Sequence, residues 1–206
     1  MRYDPSSTAI VLVEFQRQWT APGLYHRMIA RELARLSSIE HAAALVAQAR
    51  RAGALVVHAP LVVDPAHKRG TLAHLTRGVF FRLGSPAAAL DPRVHEPADL
   101  IATGRTAFDP FRNSALHELL HRHGVRTVLF AGFATDQCVG KGVATALELG
   151  YDAYLVSDAS ATFAARLHTR AERRLPGRVL ATAEIRPAAA RTVADSVEPQ
   201  PDTHGS

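Results

Sequence analysis

The sequence predicts an α/β domain in which a doubly wound, mainly parallel sheet lies between two helical layers, a three-layer α/β/α sandwich. Three observations carry this reading: short apolar runs alternate with helix-period segments, the runs are apolar at every position, and glycines punctuate the junctions. A strand apolar on both faces is covered on both sides, the condition inside a parallel sheet. Strand and helix in alternation then wind into a sandwich through right-handed crossovers.

The elements follow in chain order. Thr8-Ala9-Ile10-Val11-Leu12-Val13 is the first buried strand and ends at Glu14. Ser37-Ser38-Ile39-Glu40 has the spacing of a capping box, followed by an alanine-rich helix through Arg51 that Gly53 stops. Residues 54–58 are a second strand. Residues 60–97 are rich in Pro, Gly and His with little periodicity and read as loop and lid, apart from a short helical turn at 86–90. Strand-like residues 99–102 precede a helix over 114–123, with Asn113 as N-cap and Gly124 as its stop. Residues 127–131 form another buried strand. The helix carrying Cys138 runs to Leu149 and ends at Gly150, residues 153–156 form a strand, residues 167–174 a helix, and residues 179–181 close the sheet. One domain over residues 1–186 is expected, with residues 187–206 as a disordered tail.

A chain of 206 residues that is 47% hydrophobic and 21% charged has the apolar content for one sizeable core. No uncharged apolar run reaches the roughly 18 residues of a spanning helix, and Met1-Arg2-Tyr3-Asp4-Pro5 lacks the apolar core of a secretory signal. A soluble cytoplasmic protein without a membrane partner is expected. The net charge of +5 comes from 24 Lys and Arg scattered against 19 Asp and Glu. Basic residues are not interleaved with aromatics, so no nucleic-acid partner is expected.

The one cysteine, Cys138, excludes an internal disulfide and leaves packing, metal binding or reactivity. It sits in Gly132-Phe133-Ala134-Thr135-Asp136-Gln137-Cys138-Val139, where a strand ends and a helix begins. Partial positive charge at a helix N-terminus favours thiolate over thiol. Glu14, Arg105 and Cys138 each follow a predicted strand, at the sheet end where open parallel sheets bind ligands. Together they supply a carboxylate to take the thiol proton, a cation to lower the thiolate's energy, and turn N–H groups for an oxyanion.

On these residues the chain resembles the isochorismatase-like cysteine hydrolases, the superfamily of nicotinamidases, N-carbamoylsarcosine amidases and ureidoacrylate amidohydrolases. The likeness covers residues 6–185. Leu12-Val13-Glu14-Phe15-Gln16-Arg17-Gln18-Trp19 is similar to the family's opening strand and Asp-x-Gln-x-x-Phe motif, with Glu14 at the Asp position. Gly104-Arg105, with Phe111 six residues after the arginine and then Ser114-Ala115-Leu116, is similar to the lysine-bearing loop. The Cys138 segment, with Gly150-Tyr151 and Asp158-Ala159, is similar to the nucleophile segment and the strand after it, and is the most specific match. The resemblance implies a Rossmann-like fold and hydrolysis of a C–N bond in a small molecule through a thioester. It implies Cys138 as nucleophile, Glu14 as base, Arg105 as the cation, and a non-proline cis peptide near Phe133-Ala134 that orients the Ala134 and Cys138 amides as an oxyanion hole. Gln16, Trp19, His58 and Thr135 are expected at the substrate pocket, no cofactor is expected, and a homodimer or homotetramer is the expected assembly.

Two departures from the family pattern stand out. Glu for Asp moves the carboxylate about 1.5 Å further out, so the base must approach sulfur along a different path. Arg for Lys keeps the charge but not an exchangeable proton. Gly140-Lys141-Gly142 also places two glycines where helix formers are usual, at about 1 kcal/mol each. With two triad positions substituted, a catalytically silent binding or regulatory protein on the same fold is the alternative, and a vinyl-ether hydrolase a further one. Asp64, His67 and His74 fall in the region where nicotinamidases bind metal but lack the Asp-x-His spacing, so no metal is expected.

Overall fold

Six apolar segments pair into one all-parallel sheet in the computed structural model, which describes residues 1–63 and 81–188. The elements are β1 (Arg2–Tyr3), β2 (Thr8–Val13), α1 (Arg17–Thr20), α2 (Leu24–Leu36), α3 (Ser38–Ala52), β3 (Leu55–Ala59) and β4 (Leu100–Ile101). They continue with α4 (Leu116–Arg122), β5 (Thr127–Phe133), α5 (Gly140–Glu148), β6 (Asp152–Ala161), α6 (Ala165–Arg173), β7 (Val179–Leu180) and β8 (Arg186–Pro187). The sheet runs β4-β3-β2-β5-β6-β7. The chain therefore starts at the centre, winds to one edge, and returns to wind the other way. Between β2 and β5 lies the topological switch point, where crossovers leave in opposite directions and open a crevice.

Side-chain alternation divides the core between the two faces of β2. Ile10 and Leu12 pack with Ile29 of α2 and with Leu45 and Val46 of α3. Ala9, Val11 and Val13 pack with Leu116 and Leu120 of α4 and Val143 of α5. Every residue of β2 is buried, as its uninterrupted apolar run requires. No helix among the described residues is long and apolar enough to cross a membrane.

The structure differs from the sequence reading in several places. α1 and α2 were not expected, although Tyr25, Ile29, Leu33 and Leu36 carry a helical apolar spacing. The Ser37 capping box does not form. Ser37 has φ 47°, joins α2 to α3 without a side-chain cap bond, and leaves the role of buried hydroxyl to Ser38, which donates to the Ser160 carbonyl at 3.1 Å. Asn113 is not the N-cap of α4 either. It has φ 54° and donates to Thr106, while the Ser114 hydroxyl accepts from the Leu116 N–H at 3.1 Å. β6 is longer than expected because its register shifts opposite Phe130 and Gly132. Pro187, expected to begin the tail, pairs with Tyr3 in a small β1–β8 sheet, and the remainder of that tail from residue 189 lies outside the described residues.

Two glycines answer to close approach. A Cβ on Gly132, at φ 133°, would sit 2.0 Å from the Val13 carbonyl oxygen, so the ends of β2 and β5 meet only across glycine. A Cβ on Gly142 would lie 2.8 Å from the Pro110 ring and 3.1 Å from the Phe130 ring. The helix weakness read at Gly140-Lys141-Gly142 is thus the room that lets α5 sit on β5.

Candidate active site

Glu14 follows β2 directly and adopts φ 57°, a left-handed conformation strained for a residue with a Cβ. Its N–H still reaches the Ala59 carbonyl at 3.3 Å, and the Gln16 N–H closes a tight turn on its carbonyl at 2.6 Å. The side chain is 1% exposed. Arg105 Nη2 donates to Glu14 Oε1 at 2.7 Å and to the Phe108 carbonyl at 2.8 Å. Nη1 donates to the Ala59 carbonyl at 3.0 Å and Nε to the Ala107 carbonyl at 2.9 Å. A planar guanidinium can meet these diverging acceptors at once, which an ammonium on a flexible stem cannot. The substitution read as a departure in the sequence is the residue this loop is built around.

Cys138 lies across the switch point, in a π-helical turn over Thr135–Val139 that leads into α5. Glu14 and Arg105 are the two charged groups that act on its buried side chain. Burial pushes the thiol well above its ordinary pKa, the Glu14 carboxylate pushes it further, and Arg105 pulls back less than these two together. This reverses the expectation of a ready thiolate: desolvation and a facing carboxylate outweigh the N-terminal position of the turn. A thiol beside a carboxylate is an arrangement that can pass its proton to that carboxylate. The Phe133–Ala134 peptide is cis, and the Ala134 carbonyl accepts from the Gln137 and Val139 N–H groups at 3.0 and 3.2 Å.

The isochorismatase domain model matches residues 8–185, a span that contains β2, the Arg105 loop and the Cys138 turn. The chain belongs to the isochorismatase domain family. It is 29% identical over 161 residues to a maleamate amidohydrolase of Pseudomonas putida, covering 73% of this chain and 70% of that protein. It is 36% identical over 124 residues to a streptothricin hydrolase of Streptomyces noursei, covering 58% of this chain but 39% of that longer protein. Among solved structures, a cysteine hydrolase from Pseudomonas syringae superposes with a TM-score of 0.80 at 20% identity, covering 89% of this chain and 92% of that one. An N-carbamoylsarcosine amidase from Thermoplasma acidophilum gives a TM-score of 0.70 at 21% identity, covering 85% and 96%. At these identities the two structures establish a shared fold.

The four residues expected at the pocket of this isochorismatase-family chain commit their polar groups inward. Gln16 staples two loops: its Nε2 donates to the carbonyls of Leu61 and Ala88 at 3.0 and 2.9 Å, and its Oε1 accepts from the Leu61 N–H at 3.0 Å. Trp19 donates its indole N–H to Glu14 Oε2 at 3.0 Å and packs edge-on to Tyr25 and Phe163. His58 is turned away from the site, because alternation along β3 puts it on the face opposite Val57 and Ala59, where its Nε2 meets Asp99 at 3.1 Å. Thr135 is fully buried and faces His168 at 3.0 Å. The sequence reading missed the bond from Trp19, the three carbonyls around Arg105, and His168; of these only His168 carries a local signal, its spacing of four from Glu172 on one helix face.

The metal candidates weighed in the sequence, Asp64, His67 and His74, lie outside the described residues. Among the described residues His58, His95 and Asp99 bring three ligand-type atoms within 4.8 Å of one another. Arg50 already occupies that carboxylate through Nη2 at 2.6 Å and Nε at 3.1 Å, and the Glu96 N–H adds a bond at 2.8 Å. A guanidinium supplies the positive charge a cation would bring, so the cluster fits an ion pair better than a metal. Burial, opposed by Asp99, holds the His58 pKa down at about 4.

Proposed function

We propose that the chain hydrolyses a C–N bond of amide or carbamoyl type in a small molecule, with Cys138 as nucleophile. The observation that carries this reading is the buried Arg105–Glu14 pair at 2.7 Å, whose two charges both act on the Cys138 thiol. Membership in a hydrolase family, with relatives named for hydrolysing maleamate and ureidoacrylate, supports the amide class.

In this scheme Cys138 Sγ attacks the carbonyl carbon while its proton passes to Glu14. The Ala134 and Cys138 amides, at the turn between β5 and α5, hold the oxyanion. On collapse the C–N bond breaks and the proton on Glu14 goes to the departing nitrogen, leaving a thioester. Water then attacks the thioester with Glu14 taking its proton, the C–S bond breaks, the acid leaves and the proton returns to sulfur. Arg105 holds the carboxylate in place and offsets the thiolate's charge.

The test is turnover of maleamate, ureidoacrylate and a panel of primary amides, with intact-mass measurement of quenched mixtures. An acyl adduct on the wild type, absent with Cys138→Ala together with turnover, supports the thioester route. Turnover retained in Cys138→Ala excludes it.

A further inference from the structure

Behind the Cys138 turn runs a line of polar groups that the hydrolytic scheme leaves unused. The Thr135 hydroxyl is 3.0 Å from His168 Nδ1, and His168 Nε2 is 2.8 Å from Ser157 Oγ. The Ser157 hydroxyl donates to Glu172 Oε1 at 2.5 Å. Thr135 and His168 are buried, whereas Glu172 reaches the partly exposed rim of α6.

Counting protons sets the direction of this line. Ser157 has one hydroxyl proton, and the carboxylate can only accept it. Ser157 Oγ must then accept from His168, which makes Nε2 the protonated ring nitrogen. In the neutral ring Nδ1 then keeps its lone pair, and Thr135 is the donor to it. The order is Thr135 to His168 to Ser157 to Glu172, with His168 as the neutral Nε2–H tautomer. Burial lowers the His168 pKa and supports the neutral form, while the charged groups around it are Glu172 on its own helix, Asp136 on the turn, and Glu32 and Arg35 on α2.

Thr135 is tied at both ends of its residue. Its hydroxyl binds α6 through His168, and its carbonyl accepts the Gly140 N–H that closes the turn enclosing Cys138. We propose that His168 is a positioning residue for Cys138, anchoring the base of the nucleophile turn to α6 by accepting the Thr135 hydroxyl; this deepens the cysteine reading above and rests on it. The same logic makes the Thr135 hydroxyl a structural donor rather than a substrate ligand.

Two measurements on the full chain test it. Long-range proton–nitrogen correlation on histidine-labelled protein at pH 7, with His168 assigned by its loss in His168→Asn, is expected to show a neutral Nε2–H ring; a neutral Nδ1–H ring overturns the proposal. Iodoacetamide alkylation followed by intact mass reads Cys138 alone, because it is the only thiol. Thr135→Val and His168→Ala are expected to alkylate at least about five-fold faster, the scale of one lost hydrogen bond, because the loosened turn uncovers the thiol. Thr135→Ser and His168→Asn, which keep a hydroxyl and an acceptor, are expected within about two-fold of wild type by the same scale. A wild-type rate in Thr135→Val overturns the proposal even if His168→Ala fails to fold. Turnover surviving in Cys138→Ala would remove the nucleophile reading while leaving the tautomer and the anchoring measurements as they stand, so the two ideas fail separately.

Discussion

Trp19 donates its indole N–H to Glu14 Oε2 at 3.0 Å, and with Arg105 on Oε1 each oxygen of the carboxylate has a charged or polar donor. The longer glutamate is thereby held in one rotamer beside the thiol. Trp19→Phe keeps the ring packing and deletes one hydrogen bond to a charged acceptor, worth about 1.5–3 kcal/mol. Urea denaturation is expected to read a loss of that size, and turnover of an accepted amide to fall by about tenfold or more. A Phe variant as stable and as fast as wild type would show that the indole bond is incidental.

Arg105 separates charge from shape. Arg105→Met leaves Glu14 buried without its partner and is expected to cost about 3–5 kcal/mol. Arg105→Lys restores the charge but cannot meet the carbonyls of Ala59, Ala107 and Phe108 together, so it is expected to recover only part of that loss. Full recovery with lysine, measured by chemical denaturation, would mean that charge alone matters.

The elevated thiol pKa gives opposite signs for reactivity and catalysis. Glu14→Gln removes a negative charge facing sulfur, so the thiolate forms more easily and the midpoint of alkylation against pH moves down. The same change removes the proposed base, so amide turnover is expected to fall by about 100-fold or more, the low end of what a general base contributes. An alkylation midpoint that rises in Glu14→Gln would place the carboxylate's influence elsewhere.

His58 shapes the acid side of stability. Its folded pKa of about 4 lies below the ordinary 6.5, so between these values the unfolded chain binds more protons than the folded one. The contribution is complete above pH 6.5 and disappears as pH falls to 4, about 3 kcal/mol by the size of the shift. Unfolding free energy measured from pH 7 to 4 is expected to fall along this curve, and His58→Gln to flatten it. An unchanged slope in the variant would assign the acid sensitivity to other groups.

Gly142→Ala sets helix propensity against space. The substitution gains about 1 kcal/mol of propensity but places a methyl 2.8 Å from the Pro110 ring and 3.1 Å from Phe130. Overpacking of this kind costs about 1–3 kcal/mol, so a net loss of thermal stability is expected. A more stable variant would mean that Pro110 moves aside freely.

Much of the architecture was legible because a parallel strand buried on both faces must be apolar throughout. The strands around Thr8–Val13, Leu55–Ala59 and Thr127–Phe133 announce themselves in this way. α2 was harder to read, since Leu24 and Met28 stay exposed and interrupt the contrast between its faces. Ser37 shows the limit of a local motif: the spacing of a capping box was present, but the need to join two helices put the residue in a left-handed conformation.

Glu14, Arg105 and Cys138 could be placed at strand ends from the chain alone, because an apolar run stops where a polar residue follows. Which polar atoms face one another was decided by the tertiary structure. His58 follows from strand alternation and meets Asp99 on the far face, and Gln16 spends its amide on Leu61 and Ala88, contacts fixed by loops distant in sequence. The thiol's raised pKa is likewise a property of the assembled site, since desolvation and the facing carboxylate arise only when β2 and β5 bring Glu14 and Cys138 together. Composition and periodicity specify what must be buried; the direction of each hydrogen bond depends on which neighbours the fold supplies.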